Sequence, residues 1–265
     1  MGVLRLLALL LSLLLVACGG PRSATPPATA DRVASSYTAA PETAATAEER
    51  PGLGTRWGET RLSRARAVRF RRAEGRPLAV SAVYYNDAPG ITAMSAGAPL
   101  RRTWPILAGP AGAVVSVGLR DAGGALLPGT LIGNRWFVVG EQNRRYTVSV
   151  RNRTSQRLEV VLSVDGLDVI DGRPAHFRKR GYLLEPNSRI EVDGFRQSYD
   201  AVAAFRFGSV AESYANQRFG EARNVGVIGL AVFHERGTDP WQTNEMLRRL
   251  RANPFPGRFA TPPER

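Results

Sequence analysis

Apolar and polar residues alternate along many short stretches between residues 111 and 236. In RRYTVSVRN, for example, Tyr146, Val148 and Val150 alternate with polar or charged neighbours. Such period-two stretches, separated by Gly, Asn, Asp and Pro, are typical of antiparallel strands that bury one face. We therefore predict an all-β fold, an antiparallel β-sandwich, for residues 111–236.

The segments on either side of this predicted sandwich have different patterns. Residues 56–110 contain two strand candidates, ARAVRF and PLAVSAVYY, so we expect a hairpin-containing or irregular segment, and the sequence leaves open whether it packs on the sandwich. The run from Val225 to Phe233 is apolar on both faces, which predicts a central strand. Residues 237–265 are expected to form a short helix and an extended tail, since Pro240 suits a first helical turn and Pro254 ends the pattern.

The first residues, MGVLRLLALLLSLLLVACGG, have the pattern of a secretory signal. A basic Arg5 precedes an apolar core that is too short to span a bilayer. The ending Leu-Val-Ala-Cys resembles the lipobox of bacterial lipoproteins, which implies a signal peptide over residues 1–17 and lipidation of Cys18, the only cysteine of the chain. Because Gly19 follows the cysteine, the sorting rules of such lipoproteins imply the outer membrane, with the domain facing the periplasm.

Residues 18–55 are rich in Ala, Thr, Pro and Ser and contain almost no large apolar side chains. Such a segment cannot bury enough apolar surface to offset its conformational entropy. We therefore predict a lipidated, disordered tether between the membrane and the folded domain.

The chain is basic, with 36 Lys and Arg residues against 23 Asp and Glu residues and a formal net charge of +13. This charge favours anionic envelope polymers or another envelope protein as partners, and nucleic acid is a poor candidate in that compartment. The densest cluster runs from Arg61 to Arg76. We expect a solvated strand edge or linker there, and the alternative is contact with an anionic surface through Arg69, Arg71 and Arg72.

Three aspartates, Asp165, Asp168 and Asp171, are spaced three residues apart in VVLSVDGLDVIDGRPA. A calcium loop of the EF-hand type requires oxygen ligands at every second position, so this spacing argues against one. Asp165, Asp171 and Asp193 each precede a glycine, which predicts tight turns at strand ends and leaves Asp168 on a short exposed strand edge. The alternative hypothesis is a metal or hydrolytic site in which the three aspartates act together with His176.

Other catalytic motifs are missing from the sequence. His176 and His234 are too far apart for a short-spaced zinc motif, and the chain has no G-x-S-x-G motif, no P-loop and no free cysteine nucleophile once Cys18 is acylated. We therefore expect no cofactor. The favoured function is that of a lipid-anchored binding or structural module of the cell envelope, and an envelope hydrolase or metal-dependent enzyme is the alternative.

The motifs VDGLDVIDGRPA, RGYLLEP, IEVDGFRQS, VAAFRF and NVGVIGLAVF together resemble a family of uncharacterised proteobacterial envelope proteins. The resemblance covers about a third of the chain and implies one compact domain without an assigned activity. Polar and aromatic side chains on loops favour recognition, although packing of the aromatic rings in the core is the interpretation we favour. The candidate recognition residues are Tyr182, Phe195, Arg196, Ser198, Tyr199 and Tyr214.

Overall fold

The computed structural model describes residues 47–97, 100–103, 106–108, 114–240, 249 and 251–253. The predicted signal peptide, Cys18 and the tether up to residue 46 lie outside the described residues, as does most of the predicted C-terminal helix. Within the described residues, the strands and helices in chain order are β1 (Leu53–Leu62), β2 (Ala79–Asn86), α1 (Ala88–Ser95), β3 (Arg101–Thr103), β4 (Ile106–Ala108), β5 (Val115–Arg120), β6 (Gly129–Ile132), β7 (Arg135–Val139), β8 (Arg145–Asn152), β9 (Leu158–Val164), β10 (Leu167–Asp168), β11 (Tyr182–Leu184), β12 (Arg189–Val192), β13 (Gly194–Arg196), β14 (Ala201–Ser209), α2 (Tyr214–Phe219) and β15 (Val227–His234).

The strands form two sheets that pack together, so the predicted β-sandwich is confirmed. The first sheet has the order β1-β14-β8-β5-β4, with β12 on β8 and β13 on β14. The second sheet has the order β10-β9-β15-β2-β7-β6-β3, with β11 on β9. Among the described strands, the pair β2–β7 is parallel and the other pairs are antiparallel.

The core lies between the two sheets and follows the alternation seen in the sequence. Tyr146, Val148 and Val150 of β8 point inward and are fully buried. β15 lies between β9 and β2, as its doubly apolar pattern predicts. Its second face is also covered, because Phe233 packs there with Val161 and Ala231 in a separate apolar cluster.

The sequence leaves open whether residues 56–110 pack on the sandwich, and the structure shows that they are part of it. β1 pairs with β14 along most of its length and β2 lies between β15 and β7, so this part of the chain supplies strands to both sheets. PLAVSAVYY contains β2, whereas ARAVRF forms no strand. The predicted tether also ends too late, because β1 already begins at Leu53.

Residues 63–78, which we call the strap, connect the two sheets at one end of the sandwich. Backbone amides at its start donate to the carbonyl oxygens of Asp200 and Tyr199, next to the first sheet. Amides near its end donate to the carbonyl oxygens of His234 and Val232, in the second sheet. The basic cluster of the sequence is therefore held at both ends.

The three Asp-Gly dipeptides have different roles. Asp165 and its glycine both have positive φ and form the predicted two-residue turn between β9 and β10. Gly172, which follows Asp171, donates its backbone amide to the carbonyl oxygen of Asp168 within a loop. The prediction of a turn at Asp193 is wrong, because the chain passes there from β12, which pairs with β8, to β13, which pairs with β14. Glycine is required at position 194 because a Cβ there would lie 1.9 Å from the carbonyl oxygen of Ala203.

Candidate ligand-binding groove

A groove of about 600 Å³ opens at one end of the sandwich. Its size falls within the range of sites that hold small ligands. Segments from six parts of the chain form it: the residues before β1, the end of β2, α1, the turn between β6 and β7, the residue after β14, and the loop that leads into β15. Its lining includes Arg50, Leu53, Tyr84, Tyr85, Asn86, Met94, Asn134, Arg135, Phe137, Arg223, Val225 and Gly226.

Two polar side chains fix the walls of the groove. Arg50 donates from Nη2 to the carbonyl oxygens of Ala222, at 2.5 Å, and Val225, at 3.0 Å, which ties the chain before β1 to the loop before β15. Asn86 accepts from the backbone amide of Leu53 through Oδ1 at 3.0 Å. The chain before β1, the end of β2 and the loop before β15 are therefore joined to each other before any ligand is bound.

Cations and aromatic rings face the groove together. The guanidinium carbon of Arg135 lies 5.5 Å from the centroid of the Tyr84 ring, and that ring packs against Phe137 at a centroid distance of 5.2 Å. Arg223 is exposed on the opposite loop and has no ion-pair partner among the described residues. No carboxylate occurs among the described lining residues, so the groove suits an anionic group next to a ring or an apolar face.

A buried polar network lies directly beneath the groove. The carboxylate of Asp165 accepts from the Tyr85 hydroxyl at 2.5 Å, from the Gly226 amide at 2.9 Å and from the Thr55 amide at 2.7 Å. The Thr55 hydroxyl lies 2.7 Å from the Tyr85 hydroxyl and 2.6 Å from that of Tyr146. Because each hydroxyl has one proton and Tyr85 gives its own to Asp165, Thr55 donates to Tyr85 and Tyr146 donates to Thr55.

Burial controls the protonation of this network. Loss of hydration raises the pKa of Asp165 to about 6, although its hydrogen-bond donors act in the opposite direction. Burial also raises the pKa values of Tyr85 and Tyr146 well above their ordinary range, and the neighbouring Asp165 carboxylate adds to this. Both phenols therefore stay protonated and act as donors. Asp165 binds Tyr85 and Gly226, and in this way the network positions the floor of the groove.

The structure does not bring the three aspartates of the proposed metal site together. Asp165 points into the network just described, and Asp171 forms an ion pair with Lys179 at 2.6 Å, which holds its pKa below the usual value against the effect of partial burial. His176 is exposed. Within the described residues, no group of three or more His, Cys, Asp or Glu side chains could hold a metal ion.

Asp168 is buried, so the prediction that it lies on an exposed strand edge is wrong. Its amide bonds to the carbonyl of Arg173, because the loop after β10 folds back over the strand. Its Oδ1 accepts from the amides of Ile170 and Asp171 at 2.9 and 3.2 Å, and its Oδ2 is buried without a hydrogen-bond partner among the described residues. Burial raises its pKa, and the two amide donors oppose that rise.

Of the three arginines in the anion-contact alternative, Arg72 turns inward and therefore does not fit that alternative. Its Nε lies 2.8 Å from Oε2 of the buried Glu159, and its guanidinium carbon stacks 3.6 Å from the centroid of the Phe233 ring. Arg69 and Arg71 are exposed. The strap thus presents these two arginines outward and uses the third as an internal ion pair.

The candidate recognition residues mostly serve the fold. Arg196 donates to the Tyr182 hydroxyl at 3.1 Å and to the backbone carbonyls of Ser63 and Ser198 at 2.9 and 3.0 Å. The Ser198 hydroxyl accepts hydrogen bonds from the backbone amides of Asp200 and Ala201, both at 3.1 Å. Phe195 is buried and Tyr214 packs beside it at 4.9 Å, so the favoured interpretation, core packing of the aromatic rings, holds for these two, whereas Tyr199 is 65% exposed.

In comparisons with known proteins, no family model, curated protein or solved structure matches this chain. The resemblance to envelope proteins therefore stays a prediction. No helix among the described residues is long and apolar enough to cross a membrane.

Proposed function

We propose that this protein is a lipid-anchored binding module of the cell envelope that binds an anionic saccharide in the groove at the end of its sandwich. One observation carries the proposal: Arg50, Arg135 and Arg223 line the groove together with Tyr84, and no described lining residue carries a carboxylate.

The chemistry of the lining favours an acidic or phosphorylated sugar over a neutral one. Guanidinium groups bind carboxylates and phosphates through paired hydrogen bonds. The Tyr84 ring offers a face on which a sugar ring can pack, with Phe137 behind it. Arg50 is partly committed to backbone carbonyls, so Arg135 and Arg223 are the cations with the most freedom to bind the anion.

A second groove, of about 270 Å³, is less suited to an anion. Its lining includes Arg144 and Arg145 but also Asp121 and Glu141. Glu141 forms an ion pair with Arg144 at 3.3 Å, and Arg145 lies 3.5 Å from Glu59. The positive charge there is already balanced by the protein itself.

The anchor and tether of the proposal rest on the sequence. We expect mass spectrometry of the membrane fraction to find a mature chain that begins with an acylated Cys18, because the leader ends in Leu-Val-Ala-Cys. Two or three long acyl chains are sufficient for stable anchoring without a membrane-spanning helix. An unmodified mature chain in the soluble fraction would contradict the anchor but not the groove.

The groove is tested with an array of acidic, phosphorylated and neutral bacterial saccharides. We expect the wild type to bind acidic or phosphorylated members and the double variant Arg135→Gln, Arg223→Gln to bind them at least about tenfold more weakly, since a hydrogen bond to a charged group contributes roughly 1.5–3 kcal/mol. The control is Arg151→Gln with Arg189→Gln, which removes the same charge from two exposed arginines of the first sheet. Equal losses in both double variants, or a preference for neutral sugars, would contradict the proposal.

A further inference from the structure

The outward face of the strap carries a dense row of cations. Arg64, Arg66, Arg69, Arg71 and Arg76 are all exposed, and their side chains form no ion pair or hydrogen bond with the described residues. Glu74 is the one acidic residue of the strap. The positive charge of this face is therefore not balanced locally.

The strap holds this row in a fixed position. Phe70 is buried beneath it, and the Phe70 carbonyl accepts from Arg180 Nη2 at 2.8 Å. Arg72 donates to the Phe177 carbonyl at 2.5 Å in addition to its bond to Glu159. Because Phe70 and Arg72 anchor the strap from within, the exposed arginines are held on one end of the sandwich.

Exposed apolar side chains lie in the strap and in the segments that contact it. Leu62, just before the strap, is 73% exposed and Val68 within it is 44% exposed. Tyr199 lies beside the strap, since its carbonyl accepts from the amide of Ala65 at 2.7 Å. Phe177, whose carbonyl binds Arg72, is also exposed. A solvated basic edge does not require these apolar groups, whereas a surface that enters the headgroup region of a bilayer does.

We infer that the strap face is a docking surface for an anionic phospholipid leaflet, in which the arginines contact lipid phosphates and Leu62, Val68, Phe177 and Tyr199 enter the headgroup layer. Charge complementarity carries the assignment, because five uncompensated cations on the strap match a surface of fixed negative charge. The inference depends neither on the saccharide in the groove nor on acylation of Cys18. It places a second contact with the membrane on the folded domain itself.

The test uses the chain from residue 19 to residue 265, which contains the whole compact unit from Ala44 to Arg265. It is sedimented with vesicles made of equal parts phosphatidylglycerol and phosphatidylcholine, and with vesicles of phosphatidylcholine alone. We expect binding to the anionic vesicles only, and reversal of Arg64, Arg66, Arg69 and Arg71 to Glu should weaken it at least about tenfold, since each cation near an anionic leaflet contributes about 1 kcal/mol.

The matched control reverses Arg101, Arg102, Arg151 and Arg189 to Glu, which are exposed arginines on strands that the strap does not contact through backbone hydrogen bonds. We expect this control to lose much less vesicle binding than the strap variant, with both melting temperatures near that of the wild type. Equal losses would show that net charge alone governs binding and would overturn the inference.

A second variant tests the apolar part of the surface. Leu62→Ser with Val68→Ser keeps every charge and should remove the part of vesicle binding that persists at high salt, since salt screens the arginines but not apolar insertion. Unchanged binding at high salt would overturn the assignment of an inserted face. Strap-dependent binding of soluble dextran sulfate without binding to anionic vesicles would overturn it in favour of a soluble polyanion. Failure of the saccharide array would leave this result unaffected.

Discussion

At the scale of single residues, Asp165 shows how one side chain can serve both a turn and the core. The sequence predicts its backbone role correctly, because Asp-Gly at a strand end favours positive φ. Its side-chain role was not predictable, because the donors from Thr55, Tyr85 and Gly226 come from segments that are distant in the chain. The burial of Asp168 is not predictable from the local pattern either, because it depends on how the loop after β10 folds back over the strand.

Asp165→Asn should destabilise the protein. Asparagine tolerates the positive φ of Asp165, but its amide nitrogen cannot accept a hydrogen bond, so at least one of the buried donors loses its acceptor. We expect a loss of about 1–3 kcal/mol in the free energy of unfolding, measured by urea denaturation.

The pH dependence of this loss follows from the raised pKa. The folded protein binds a proton at Asp165 with a pKa of about 6, above the value of about 3.9 for an unfolded chain. The contribution of this group to stability therefore rises as the pH falls from about 7 to 5, by about 1 kcal/mol. The variant Asp165→Asn lacks that rise, so the difference in free energy of unfolding between wild type and variant should be larger at the lower pH. A difference that stays constant would contradict a raised pKa.

At the scale of elements, an ion pair between Arg72 and Glu159 fastens the strap to β9 of the second sheet. Both side chains are largely buried, and Glu159 also accepts from the amide of Gly181 at 2.8 Å. The sequence predicts a basic segment here but not which arginine turns inward, because its buried partner Glu159 lies far away in the chain. β1 was missed since its sequence, LGTRWGETRL, has few apolar residues and is fully buried only over its first three positions.

Replacement of Arg72 and Arg71 separates the structural arginine from its exposed neighbour. Arg72→Met leaves the buried Glu159 carboxylate with weaker compensation, because Arg180, its other cation, is 60% exposed. We expect a loss of about 3 kcal/mol for Arg72→Met and a change within about 0.5 kcal/mol for Arg71→Met, both from chemical denaturation. Similar values for the two variants would contradict the assignment of Arg72 to the interior.

At the scale of the whole molecule, the sandwich was predictable and the groove was not. Strands β8, β12 and β15 are predictable from local sequence. Burial of one face imposes alternation of apolar and polar residues, and burial of both faces imposes a continuous apolar run. The three cations that line the groove, Arg50, Arg135 and Arg223, lie in three distant segments of the chain. No local motif marks them, since only the pairing of the strands brings those segments to the same end.

Binding of an anionic saccharide in the groove can be observed at the arginine side chains themselves. Nuclear magnetic resonance of the arginine side-chain Nε–Hε groups, recorded while an acidic saccharide identified on the array is added, reports on each guanidinium separately. We expect saturable shifts at Arg135 and Arg223, and no comparable shifts at the exposed strap residues Arg69 and Arg71. Shifts confined to the strap arginines, or shifts spread evenly over all exposed arginines, would contradict binding in the groove.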